Sequence, residues 1–154
     1  MSYRCRFGTP VLNKFGEKIY IDQMTVEEIK ERVKKNDIVM IPCGSIENHG
    51  PAAPVGEDSL IGTYIAERVA YETGISIAPP IWYGSHPSHH YGMIGTIPIE
   101  DKYVYIGYVR SVAKWLIHTG YKKVVLFNSH GQEYVLPIVK DDLITKDRVK
   151  ALVM

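Results

Sequence analysis

A three-layer α/β/α fold with a mostly parallel central sheet is predicted by three features of this sequence. Segments of strand and helix composition alternate along the chain, ending in a strand. Residues 38–43 and 123–128 have the composition of buried strands, and the first is apolar on both faces, as a central parallel strand must be. Each of these strands runs straight into a turn bearing His and Glu: Glu47 and His49 after the first, His130 and Glu133 after the second. The C-terminal edge of an open α/β sheet is where ligands bind.

Each element has a local reason. Lys18-Ile19-Tyr20-Ile21 has the composition of a short strand. Thr25-Val26-Glu27-Glu28 is a capping box, so a helix is predicted to about Lys35, with Val26, Ile29 and Val33 inward. Pro51, Pro54 and Gly56 make residues 44–57 a loop. A helix is predicted over 59–73, with Leu60, Ile61, Tyr64, Ile65, Val69 and Ala70 at helical spacing and Gly74 as its stop. Residues 75–78 read as a second short strand. Residues 79–100 form a long aromatic loop with three of the six histidines, His86, His89 and His90; a loop of that length in a compact domain is functional or disordered, and this one is too aromatic for disorder. Asp101 caps a helix to about Thr119 whose predicted inner stripe is Val104, Tyr108, Val112, Trp115 and Leu116. After the strand at 123–128 come the His130 turn, a helix to about 145 and a last strand at 148–154.

The chain has 154 residues, enough for one domain with a real core. Lys and Arg total 18 against 17 Asp and Glu, so no basic surplus points to nucleic acid or anionic lipid. No apolar stretch reaches the length of a membrane span. Cys5 and Cys43 lack CxxC spacing, and Cys43 reads as a buried thiol. The first residues have no apolar run behind their charges, so a secretory signal is not expected and a cytoplasmic protein is.

The chemistry-bearing residues are carboxylates and imidazoles. Glu47-x-His49 beside Gly50 offers donors that suit Zn²⁺, Mn²⁺ or Fe²⁺. Asp58 adds a carboxylate able to bridge two ions, or alternatively to cap the helix that follows. His130 and Glu133, three residues apart, face the same way if a helix starts near Gly131. His86, His89 and His90 are open to use as ligands, acid/base groups or substrate contacts, while His118 reads as an exposed residue at a helix end. The Gly-x-Ser-x-Gly elbow, the phosphate loop and the dinucleotide fingerprint are all absent.

The blocks Pro42-Cys43-Gly44-Ser45-Ile46-Glu47-Asn48-His49-Gly50-Pro51, Asp58, Tyr83-Gly84, Gly95-Thr96-Ile97 and Asn128-Ser129-His130-Gly131 together resemble the creatininase (creatinine amidohydrolase) family. The resemblance covers about residues 25–140. It implies a creatininase-like α/β domain with a two-metal site, zinc or manganese, assembled as a homo-oligomer, often a hexamer. Carried over by position, it makes Glu47 and His130 ligands of one metal, His49 a ligand of the other and Asp58 the bridge, with His90 at the family's loop histidine. Two departures stand out. Gln132 occupies the place of a metal-binding Glu in creatininase, with Glu133 one residue on. The family domain also usually continues past residue 154, so residues 1–154 are expected to form a single domain lacking its C-terminal part.

The reading that follows is a metal-dependent hydrolase acting on a carbonyl of a small cyclic or formyl substrate through a metal-activated water. Glu133 or His90 would move the proton to the leaving group. Gln132 makes the inosose (cyclic polyol ketone) hydrolase branch fit at least as well as creatinine. The rival expectations are an inactive metal-binding fragment and a non-metal small-molecule binding domain with the His-rich loop as its lid. No nucleic-acid or membrane partner is expected.

Overall fold

The computed structural model describes residues 9–87 and 90–154; Cys5 and His89 lie outside them. Its centre is a fully parallel four-stranded sheet. The strands are β1 (Ile38–Cys43), β2 (Ser76–Ile77), β3 (Lys123–Asn128) and β4 (Lys150–Val153), in spatial order β2-β1-β3-β4. The helices are α1 (Val26–Lys35), α2 (Glu57–Thr73), α3 (Lys102–His118) and α4 (Leu136–Thr145). In the register of β1 and β3, Ile38 lies opposite Lys123 and Cys43 opposite Asn128. The two strands therefore end level, and their following turns leave the sheet side by side.

Alternation along the strands splits the core into two layers. Val39, Ile41, Cys43, Val124 and Leu126 join the cluster that contains Tyr105, Val109 and Ala113 of α3 and Leu136, Val139 and Leu143 of α4, with Ile29 and Val33 of α1 packed at its margin. Met40 and Ile77, with Val125 and Phe127, face Ala66 and Ala70 of α2. That is the predicted helix–sheet–helix sandwich. Thr25 caps α1 as expected: its Oγ1 accepts from Glu28 N at 3.2 Å, and Glu28 Oε2 accepts from Thr25 N at 2.7 Å. Asp101 caps α3 through Tyr103 N. Gly74, left-handed at φ 71°, stops α2.

The inner faces of the two long helices differ from their apolar stripes. In α2 the buried residues are Ser59, Gly62, Thr63, Ala66 and Ala70, while Ile61, Tyr64 and Ile65 are exposed. Small residues let this helix lie close on the strand tips. A Cβ on Gly62 would stand 2.2 Å from Ser129 Oγ, and one on Gly44 would stand 2.5 Å from Ser59 Cα. In α3 the buried set is Tyr105, Ile106, Val109, Ala113 and Leu116, one step round from the expected stripe; Val104, Tyr108 and Trp115 face outward. This helix is apolar on nearly every side, so periodicity alone does not choose a face. The predicted strand at 18–21 reduces to single bridges, Leu12 with Lys18 and Tyr20 with Ile77, because the backbone turns into a 3₁₀ segment at Ile21–Gln23. Val26 is exposed at the first turn of α1.

Candidate metal centre

The β1 turn is held by its backbone. Glu47 N donates to Val55 O at 2.8 Å, and Ile97 N donates to Ile46 O at 3.0 Å. Asn48 ties the same turn to the segment after the His-rich loop: its N donates to Thr96 Oγ1 at 3.1 Å and its Nδ2 to Ile94 O at 2.7 Å. The Glu47 side chain is thereby aimed from a braced segment, although the sequence there is irregular.

Glu47, His49, Asp58 and His130 converge at the C-terminal edge of the sheet. His130 Nδ1 lies 3.1 Å from Glu47 Oε2 and 3.0 Å from Asp58 Oδ2. His49 Nε2 lies 3.6 Å from both Glu47 Oε2 and Asp58 Oδ1. Asp58 sits in the first turn of α2, not at its N-cap, which is Gly56. Its Oδ2 accepts from Ser45 Oγ at 2.6 Å. Glu57, the residue before it, brings Oε2 to 3.9 Å from His49 Nδ1.

Outer contacts fix the buried His130. Its Nε2 stands 3.2 Å from the Ser85 carbonyl, which accepts only if that nitrogen carries the proton. The Nδ1 lone pair is then left facing the two carboxylates, the arrangement by which a backbone carbonyl orients a metal-binding imidazole. Gly84 makes this contact achievable. A Cβ there would stand 2.8 Å from Gly44 O and 3.0 Å from His130 Cδ2.

The loop histidines enter from the other side of Glu47. His90 Nδ1 is 3.1 Å and His86 Nδ1 is 3.8 Å from Glu47 Oε1. The His86 ring packs 4.3 Å from that of His130, centroid to centroid. Its side chain is 0% exposed, and neither of its nitrogens has a hydrogen-bond partner among the described residues. Burial, reinforced by the neighbouring His130 and His90, pushes the His86 pKa down to about 4, so it is neutral near pH 7. The sequence placed His86 in a His-rich loop without giving it a role. Its position directly after Gly84-Ser85, whose backbone crosses the β1 tip, was the available signal.

Other candidates lie elsewhere. Glu133 is exposed on the turn ahead of α4 and belongs to no ion pair or donor cluster among the described residues. Gln132 is fully buried and takes a structural part: Nε2 donates to Cys43 O at 3.1 Å, and Oε1 accepts from Ser85 N at 3.2 Å. His118 is exposed at the end of α3. Cys43 is a free, buried thiol whose pKa burial pushes up to about 12, so it is no nucleophile. A groove lined by Leu12, Lys18, Met24 and Arg32 shares no residue with the centre.

The donor set fits a divalent cation. Two groups of three, Glu47-His49-Asp58 and Glu47-His86-His90, bring one ligand atom from each residue within 4.8 Å of the others. No lysine or arginine among the described residues pairs with Glu47 or Asp58, so two neighbouring carboxylates lack a fixed positive partner. Carboxylate and imidazole donors suit Zn²⁺ and Mn²⁺, and the orphaned nitrogens of His86 are what a bound cation would satisfy.

Known proteins resemble this chain in sequence and in fold. The family model described as creatinine amidohydrolase matches residues 22–153. A 3-dehydro-scyllo-inosose hydrolase of Thermotoga maritima is 51% identical over 120 residues, 78% of this chain and 38% of that protein. The creatinine amidohydrolase of Pseudomonas putida is 26% identical over 137 residues, 86% of this chain and 52% of that protein. A glutamate-to-glutamine mutant of creatininase, of Zn-Zn type, superposes with a TM-score of 0.81 at 25% identity, covering 88% of this chain and 57% of the other. The chain thus spans 38% to 52% of the length of these two curated relatives.

Proposed function

The chain belongs to the creatininase family, and from that premise we propose that it serves a metal-dependent hydrolase acting on a carbonyl of a small cyclic substrate. The observation that carries the reading is the convergence of Glu47, Asp58 and His130, with both carboxylates at about 3 Å from one imidazole nitrogen and no lysine or arginine among the described residues paired to either. A bound divalent ion supplies Lewis-acid polarisation and a nucleophile usable at neutral pH.

The chain's own residues supply the rest. Glu47, His49, Asp58 and His130 hold the cation. Ser45 fixes the rotation of Asp58, and the Ser85 carbonyl fixes the tautomer of His130. Glu133 stays a candidate to move the proton to the leaving group by its solvent exposure and its place three residues beyond His130. His90 is the other candidate for that task, standing against Glu47.

For the substrate we favour a cyclic polyol ketone of the inosose type over creatinine. The 51% identity to the inosose hydrolase, against 26% to the creatinine amidohydrolase, supports it, as does Gln132 in place of an acidic ligand. Zinc or manganese is the metal this reading expects. It also takes the protein as a cytoplasmic homo-oligomer; the exposed Tyr103, Val104, Tyr108 and Trp115 along α3 support association. No helix of the described residues is long and apolar enough to cross a membrane.

The test is elemental analysis of protein purified without added metal or a His tag, joined to an assay of inosose ring hydrolysis before and after chelation. Near-stoichiometric zinc or manganese, and activity lost on chelation, are expected. Glu47→Gln and His130→Ala should each lower metal affinity at least about 100-fold, beyond what loss of an outer partner costs. Metal content unchanged in both variants would sink the assignment.

A further inference from the structure

We propose that the outer side of α3 is a self-association surface, on which a second copy of this chain lays its own α3 antiparallel about a two-fold axis. The proposal rests on the homo-oligomer reading above, gives it a surface and a symmetry, and is independent of the metal. Helical spacing builds the surface. Val104, Tyr108, Ser111 and Trp115 recur at steps of four, three and four, so they form one stripe along the helix. The stripe lies away from the sheet, since Tyr105, Val109, Ala113 and Leu116 occupy the buried side. Val104 is 59%, Tyr108 49% and Trp115 66% exposed. A shallow groove lined by Tyr108, Val112, Trp115 and Leu116 runs along it. A continuous row of exposed apolar and aromatic side chains marks a contact surface.

Gly107 adds an independent sign. It is exposed within α3, although glycine is the poorest helix former short of proline. A Cβ there would meet nothing within 4 Å, so packing inside this chain does not require glycine. A second helix crossing near Gly107 and Ser111 would require small residues, because side-chain size at the contact sets how closely two helices approach. Charge and size choose the direction. Glu100 and Asp101, with Lys102 beside them, leave the N-terminal end of α3 net acidic, while His118 and Lys122 stand exposed at its C-terminal end and just beyond. Two α3 helices side by side in the same direction would set acidic end against acidic end. Antiparallel, with Val104 level with the partner's Trp115, the stripe sets Tyr108 level with the partner's Ser111 and Asp101 level with the partner's His118. Large side chains then meet small ones, and the acidic end of each helix meets the basic end of the other. The surface is complementary to itself, as a two-fold interface must be.

The test is sedimentation velocity of the full chain across a concentration series. Wild-type protein should run as a dimer or a multiple of one. Trp115→Ala should raise the dissociation constant at least about 30-fold, as loss of an aromatic anchor does, with circular dichroism unchanged. Gly107→Leu, which fills the crossing point, should raise it at least about 10-fold. His118→Asp, which sets acid level with the partner's Asp101, should raise it about 3-fold or more. A wild-type chain that stays monomeric throughout would overturn both this surface and the homo-oligomer reading, assign the face to a different partner and leave the metal-dependent reading standing. Association unmoved by Trp115→Ala and Gly107→Leu would overturn this surface alone. Association weakened by Trp115→Ala yet strengthened by His118→Asp would overturn the antiparallel arrangement.

Discussion

The turns after β1 and β3 look alike in sequence and behave differently in the structure. Each follows a buried strand, and each offers His and Glu within a few residues. The β1 turn, with the helix start behind it, contributes three donors to the centre: Glu47, His49 and Asp58. The β3 turn contributes one, His130. Its next polar residue, Gln132, points inward and ties the end of β1 to the loop after β2; Glu133 points outward to solvent. The β1 turn is braced by its backbone against Val55 and Thr96 and by the Asn48 side chain against Ile94, which leaves Glu47 and His49 to face a ligand. The β3 turn spends on bracing the one polar side chain, Gln132, that follows its histidine inward. A turn that must hold its neighbours has fewer groups left for chemistry.

The largest effect that would sharpen this contrast is at Gln132. Gln132→Glu replaces the donor facing Cys43 O by an acceptor and buries a carboxylate, which should cost roughly 2–3 kcal/mol of stability by urea denaturation. Glu133→Ala should change stability by less than about 0.5 kcal/mol. Equal effects at the two positions would break the distinction between bracing and exposed residues. A gain of metal affinity in Gln132→Glu without loss of stability would show that the β3 turn can serve as a ligand turn after all.

A smaller effect tests the bracing of the β1 side. Ser45→Ala removes the 2.6 Å hydrogen bond to Asp58 Oδ2. Metal affinity should fall about 10-fold, within the range for outer-shell partners, while the melting curve of the metal-free protein shifts little. Unchanged affinity would mean that Asp58 is oriented by α2 alone.

The smallest effect lies away from both turns and serves as a control. Asp147 accepts from Arg110 Nε at 2.6 Å and from Arg110 Nη2 at 2.9 Å, tying α3 to the chain beyond α4. The Arg110 hydrogen bonds, helped by Lys114, hold the Asp147 carboxyl below its ordinary value. A depressed folded pKa stabilises above the unfolded value, about 3.9, and that stabilisation is lost as pH falls through the folded value. Asp147→Asn should therefore cost about 1 kcal/mol at pH 7 and flatten the loss of stability below about pH 4, with metal binding unchanged. A change in metal affinity would tie this distant pair to the centre and blur the comparison.

Much of the fold was legible because local rules carried it. The capping box at Thr25, the cap at Asp101 and the stop at Gly74 each act within a few residues, and so do the apolar strands. The inner faces of α2 and α3 were not legible. Both helices carry large apolar residues outside, and in α2 the residues that meet the sheet are small, selected by closeness of approach rather than hydrophobicity. At the candidate centre, the sequence pointed to the two turns and to Glu47, His49, Asp58 and His130, which the structure brings together. By resemblance it singled out His90 in the loop, and it gave His86 no role of its own.

The sequence by itself determined the order of elements, the parallel sheet and the edge at which acidic and imidazole side chains collect, because strand and helix composition and turn residues are written within short windows. Tertiary structure alone decided how those side chains divide between binding and bracing. Gln132 meets Cys43 across 89 positions of sequence and Ser85 across 47. His86 meets Glu47 only because Gly84 lets its loop cross the tip of β1. Contacts between distant segments depend on strand register and on the closeness of layers, and neither is set by any one stretch of the chain.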